Sequence, residues 1–237
     1  MIHAKEHPKS EHVFKGVWIT DKTIAYDKKK SPVPLSVRRT FSLVKKLRRA
    51  VLYATAVGNY YVTVNGVKVT DEMLAPGYTN YAKYLQYQMY DVTESLKVEN
   101  ELFAVVSGGW AVGFYGFMGT ARGYAPRQLF RCDLVLEYAD GSVEVIATDR
   151  SWSVSKKGAY SVAGIYEGVH YDARVTPENT PWKPADETIW GAIGRNSAVH
   201  TGSLPIGRSS CTPWSSTFPS GAVPSMISGK TALPWCA

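Results

Sequence analysis

The chain has 237 residues, 45% of them hydrophobic and 12% aromatic, enough for one domain of ordinary size with extra material at its ends. This composition excludes a disordered polymer, and no apolar run approaches the ~18 residues that a membrane span requires. The formal charge of +7 is unevenly placed: residues 1–50 carry thirteen Lys and Arg against four acids, the rest fourteen against sixteen. The excess therefore reads as a solvated basic lead-in, not as a nucleic-acid surface.

Residues 1–33 are that lead-in. Their first fifteen positions are charged and carry no apolar h-region, so they do not read as a secretory signal. His3 and His7 are four apart but lie outside any helical pattern, which argues against a metal site. Three cysteines, Cys132, Cys211 and Cys236, are odd in number and widely spaced, against both a disulfide framework and a zinc site. Neither cofactor nor metal is expected, and the simplest compartment is the cytoplasm.

From residue 34 to 176 the chain reads as β. "RAVLYATAV" (49–57) is apolar on both faces and predicts a central strand, and "NELFAVVS" (100–107) is similar. "YYVTV-NG-VKVT" predicts a hairpin through Asn65-Gly66, because a type I′ turn needs positive φ twice. That register pairs Val64 with Val67, and Val62 with Val69, on one side, and Thr63 with Lys68 on the other. In "YLQYQMYDVT", Tyr84, Gln86, Gln88 and Tyr90 share one face, and Leu85, Tyr87 and Met89 the other. Tyrosines on both faces describe a strand clamped between a core and a second surface. "DVTESLK" (91–97) can form one capped turn. "LFRCDLVLEYADGSVEVIATD" (129–149) repeats the hairpin device at Asp140-Gly141. It places Phe130, Cys132, Leu134, Leu136 and Tyr138 on one face, against Arg131, Asp133 and Glu137. Short strands at this spacing predict an all-β sandwich.

Beyond an exit segment at 177–190, the stretch 191–237 changes character. Twenty of its forty-seven residues are Gly, Ser or Pro, and no acid follows Glu187, yet Trp214, Trp235, Cys211 and Cys236 occur there, just after Trp190. A Ser/Pro-rich linker and a shifted reading frame both fit that composition.

Chemistry is sparse. Asp71, Glu72, Asp91, Glu167 and Asp172 are the candidate carboxylates, but no pair is spaced to converge on a glycosidic bond, and Asp71, Asp91 and Asp172 sit beside turn or strand-end signals that suit backbone caps. There is no G-x-S-x-G and no P-loop. The informative stretch is "GGWAVGFYGFMG" (108–119), where glycines interleave with Trp110, Phe114, Tyr115 and Phe117. Glycines let the backbone turn sharply and display rings, and flat rings with a polar edge suit sugars. Trp110, Phe114 and Tyr115, with Tyr78 and Tyr81 of "APGYTNY", are the carbohydrate-contact candidates. The same rings could instead plug the end of the sandwich or pack on a neighbouring domain.

In combination, the "NG" hairpin, "LAPGYTNY" (74–81), "YDVT" (90–93), "GGW" (108–110), "TDRSW" (148–152) and "YDAR" (171–174) resemble the N-terminal domain of bacterial α-L-rhamnosidases of glycoside hydrolase family 78. The resemblance runs from about Pro34 to Arg174 and stops after "WKPAD" (182–186). It implies a jelly-roll-like, galactose-binding-like sandwich that helps recognise a rhamnose-containing glycan or glycoside and docks on the rest of an enzyme. It also implies catalytic carboxylates in a downstream (α/α)6 barrel, so no catalytic residue transfers to this chain, which is expected to be inactive alone. A stand-alone carbohydrate-binding module is the alternative. The chain departs from the family at Gly168-Val169, where Gly-Glu is usual, and at Val98-Glu99-Asn100, where a Gly-x-Asn turn is usual.

Overall fold

The computed structural model describes residues 12–25, 27, 29–81, 84–116, 124–190 and 200–203, with Tyr84 and 200–203 as backbone. His3, His7, Phe117 and the tail residues Cys211, Trp214, Trp235 and Cys236 lie outside the described residues. Fifteen strands are assigned in these stretches. They are β1 (Trp18–Thr20), β2 (Leu35–Ser42), β3 (Leu47–Val57), β4 (Asn59–Val64), β5 (Val67–Lys68), β6 (Tyr84–Asp91), β7 (Glu99–Ser107) and β8 (Leu129–Tyr138). They continue with β9 (Val143–Ala147), β10 (Ser153–Ser155), β11 (Tyr160–Gly164), β12 (Gly168–Tyr171), β13 (Lys183–Pro184), β14 (Asp186–Thr188) and β15 (His200–Ser203). A single helical turn, α1 (Gly109–Val112), follows β7, and a 3-10 turn at Thr93–Ser95 follows β6.

The strands form two facing sheets. One runs β14-β1-β8-β3-β6-β15 with β9 also on β8, and the other runs β13-β10-β2-β7-β4-β5. Strands β11 and β12 make a separate hairpin. From β2 to β8 the chain crosses between the sheets at nearly every step, the jelly-roll pattern in which neighbours in space are distant in sequence. The two strands that are apolar on both faces are central as expected, β3 between β8 and β6, and β7 between β2 and β4.

Turn chemistry fixes the registers. Asn65 and Gly66 take φ of 52° and 80°, and Val64 stands opposite Val67, and Thr63 opposite Lys68. Val67 is nevertheless 67% exposed, on a two-residue strand at the edge of its sheet. At the other hairpin Gly141 has φ 84°, and Asp140 Oδ1 accepts from Ser142 N at 2.9 Å.

The inner faces carry the expected core. Phe130, Cys132, Leu134, Leu136 and Tyr138 are all buried, and Tyr60 of the opposite sheet meets Phe130 edge-on at 5.8 Å. A polar knot crosses this core. The Tyr60 hydroxyl donates to Gln88 Oε1 at 2.8 Å with Tyr90 Oη at 3.2 Å, and Gln88 Nε2 donates to Pro76 O at 3.2 Å. Leaving any of these buried groups unpaired would cost about 1–3 kcal/mol, so the knot fixes how the sheets seat on one another.

The outer face of the first sheet is covered by the chain itself. Residues 12–17 cross it as a strap. His12 stacks on Tyr53 with centroids 3.8 Å apart, and Phe14 meets Tyr87 edge-on at 5.5 Å. Asp133, placed by alternation on a polar face, is 0% exposed because it accepts from His12 Nε2 at 2.8 Å, Lys15 N at 2.7 Å and Gly16 N at 2.7 Å. Arg131 Nε donates to Gly16 O at 2.6 Å while its guanidinium lies over Phe14 and Trp18. The second surface that clamps Tyr87 is therefore the lead-in. Strand β1 then enters the first sheet, with Ile19 opposite Phe130.

The exit segment is equally integrated. Strand β13 pairs with β10 in one sheet and β14 with β1 in the other, so the chain changes sheets at Ala185. Trp190, counted above with the stray tail tryptophans, is buried and meets Trp18 edge-on at 6.0 Å. Within the tail, β15 runs parallel to β6, from His200 opposite Tyr84 to Ser203 opposite Tyr87.

Candidate functional site

At one end of the first sheet's outer face lies a second, smaller core. Trp18, Val57, Tyr81, Leu85, Leu129 and Trp190 form it, with Ala111 and Val112 packed down from α1. The turn α1 begins at Gly109, whose φ of 48° disfavours any side chain. A Cβ there would meet Asn59 Cγ and Oδ1, each at 2.5 Å. This close approach sets α1 flat on the sheet. Ala111 and Val112 consequently point inward, and Trp110 is left on the flank, half-buried against the cluster. The turn's own ladder holds it, with Val112 N donating to Gly108 O at 2.9 Å and Gly113 N to Gly109 O at 3.0 Å.

The five sequence-chosen rings divide here. Tyr78 is 62% exposed and meets Trp110 edge-on at 6.1 Å, so these two form a corner of accessible rings. Tyr115 braces that corner, its hydroxyl donating to Trp110 O at 2.8 Å. Phe114 is half-buried, and its N–H donates to Ser31 Oγ at 2.8 Å. Tyr81 is a correction. It is 0% exposed, packed on Tyr78 at 6.2 Å and on Tyr124 at 5.1 Å, with its hydroxyl donating to Gly77 O at 3.2 Å. Its loop folds back over the sheet instead of standing free, so Tyr81 supports the site from below and cannot contact a sugar. Tyr124 and Tyr166, neither singled out by sequence, complete the aromatic surround. Tyr166 sits between Gly164 and Gly168, the same glycine-flanked pattern that marks Trp110.

Three of the candidate carboxylates have structural tasks. Asp91 Oδ1 accepts from Thr93 N at 3.1 Å, and Asp172 pairs with Arg174 Nη2 at 2.7 Å. Glu167 accepts from Ser31 N at 3.0 Å. Glu72 differs, because burial pushes its carboxyl above the ordinary glutamate value. No cluster of three or more His, Cys, Asp or Glu suited to a metal ion occurs among the described residues. The rings at this end of the sheet offer apolar stacking faces with polar edges.

A family model described as the alpha-L-rhamnosidase N-terminal domain matches residues 45–205. It runs past residue 186, where the motif-based resemblance stops. An alpha-L-rhamnosidase of Streptomyces avermitilis is 40% identical over 152 residues, covering 63% of this chain and 14% of that protein. Among solved structures, the native α-L-rhamnosidase of Aspergillus terreus superposes with a TM-score of 0.69 at 29% identity, over 75% of this chain and 21% of that one. The Streptomyces avermitilis α-L-rhamnosidase complexed with L-rhamnose gives a TM-score of 0.61 at 35% identity, over 67% of this chain and 16% of that one. The chain thus spans between 14% and 21% of the length of these relatives.

Proposed function

The chain belongs to the alpha-L-rhamnosidase N-terminal domain family, and from that premise we propose that it is an accessory recognition domain of a glycoside hydrolase. It contacts a rhamnose-containing glycan or glycoside through Tyr78 and Trp110, and it docks on a catalytic part that these residues do not include. The observation that carries this reading is the corner of accessible rings, 6.1 Å apart, braced at Trp110 O by the Tyr115 hydroxyl. Rings held in place before binding lose little conformational freedom on contact, and a sugar's C–H face gains stacking while its hydroxyls reach polar neighbours. A relative solved with L-rhamnose supports the choice of sugar. The family match to an N-terminal domain supports an accessory role.

Calorimetric titration of the purified chain with L-rhamnose and rhamnose-containing glycosides tests the reading. Saturable binding is expected, weakened at least tenfold by Trp110→Ala and less by Tyr78→Ala. A flat titration, or wild-type affinity in Trp110→Ala, would sink it.

A further inference from the structure

The accessible rings do not end at Trp110. Tyr115, whose hydroxyl braces Trp110 O, also meets Tyr166 edge-on at 6.4 Å. Tyr166 stands at the tip of the β11–β12 hairpin and is 65% exposed. That tip is tied down. Its neighbour Glu167 accepts from Ser31 N with Oε1 at 3.2 Å and Oε2 at 3.0 Å, and Ser31 Oγ accepts from Phe114 N at 2.8 Å. One serine thus joins the hairpin tip to the segment after α1 that carries Phe114 and Tyr115. Tyr78, Trp110, Tyr115 and Tyr166 become successive rings of one surface, with Tyr78 and Tyr166 joined to it by edge-on ring contacts and Trp110 to Tyr115 by a hydrogen bond.

Two further properties suit a saccharide. A carboxylate offers about four lone-pair sites, and the Ser31 N–H occupies only part of that capacity, so Glu167 can still accept from a sugar hydroxyl. Tyrosine adds a polar edge to an apolar face at small cost in side-chain entropy. A single monosaccharide on the Tyr78–Trp110 corner would leave Tyr166 and Glu167 unused.

We propose that Tyr166, with Tyr115 and Glu167, forms a second saccharide subsite beside the Tyr78–Trp110 corner, so that the surface takes a chain of at least two sugar rings. This subsite presupposes the reading of Tyr78 and Trp110 as sugar contacts. The test is calorimetric titration of the intact chain and of Tyr166→Ala, Glu167→Gln and Trp110→Ala with L-rhamnose and with a rhamnose-containing disaccharide. The wild type is expected to bind the disaccharide about tenfold more tightly than the monosaccharide. Tyr166→Ala should bring the disaccharide to within about twofold of the monosaccharide and leave monosaccharide affinity unchanged, and Glu167→Gln should weaken the disaccharide alone. Trp110→Ala should weaken both. An unchanged disaccharide-to-monosaccharide ratio in Tyr166→Ala, with binding still lost in Trp110→Ala, would overturn the second subsite and spare the first. No binding of either sugar to the wild type would overturn both.

Discussion

Glu72 carries its charge in a place that does not welcome it. Its Oε2 is buried and has no hydrogen-bond partner among the described residues, and burial raises its carboxyl above the usual value. A raised folded-state value means that the native state holds the proton more tightly than the unfolded chain does. Stability therefore falls as pH rises from about 4.3 through the raised value. Glu72→Gln should raise Tm at pH 7 and leave it nearly unchanged near pH 3, in paired thermal melts; an equal gain at both would show that charge is not the cause. Gly109 is the opposite kind of residue, one whose lack of a side chain is required. A methyl group there meets Asn59 at 2.5 Å in a left-handed conformation. Gly109→Ala should cost about 2 kcal/mol or more, a fall in Tm of roughly 4–8 °C, measured by calorimetry. Wild-type melting in that variant would mean that the turn adapts.

At the scale of elements, alternation in the sequence tells which residues share a face of a strand but not what lies over that face. The Asn65-Gly66 and Asp140-Gly141 turns, the central positions of β3 and β7, and the inward set on β8 were legible because each rests on local chemistry or period. Burial of Asp133 was not, because the strap that covers it comes from a lead-in whose charge hides Phe14 and Trp18. Tyr81 was misread for a related reason, since a loop's own folding back leaves no periodic trace. The strap also has a pH signature. Burial alone would raise the Asp133 carboxyl, but the hydrogen bonds from His12 and from the Lys15 and Gly16 N–H groups outweigh it and hold the value below the usual aspartate range. A lowered folded-state value gives stability that is complete above about pH 4 and is lost as pH falls through the lowered value. Asp133→Asn should cost about 2 kcal/mol at neutral pH and flatten that acid limb in equilibrium unfolding. Retention of the limb would place its origin elsewhere.

For the whole molecule, the two sheets, the strap and the small outer core together serve to hold a few rings at one end of the sandwich. Glycine-flanked aromatics drew attention to Trp110 and Tyr115 in the sequence, and the structure sets Trp110 beside Tyr115 and Tyr78. The burial of Tyr81 and the approach of Tyr166 to Tyr115 left no such trace, because packing between distant segments decides both. An accessory role further predicts that this chain releases no aglycone from an aryl α-L-rhamnoside at concentrations where it binds sugar; turnover in a colorimetric assay would contradict that role. The most direct measurement is to follow the tryptophan indole NMR resonances during titration with L-rhamnose, assigning Trp110 by its absence in Trp110→Ala. The account predicts that the Trp110 resonance moves with saturation while those of the buried Trp18 and Trp152 stay in place. A Trp110 signal that does not move while sugar binds would put recognition elsewhere on the molecule and contradict it.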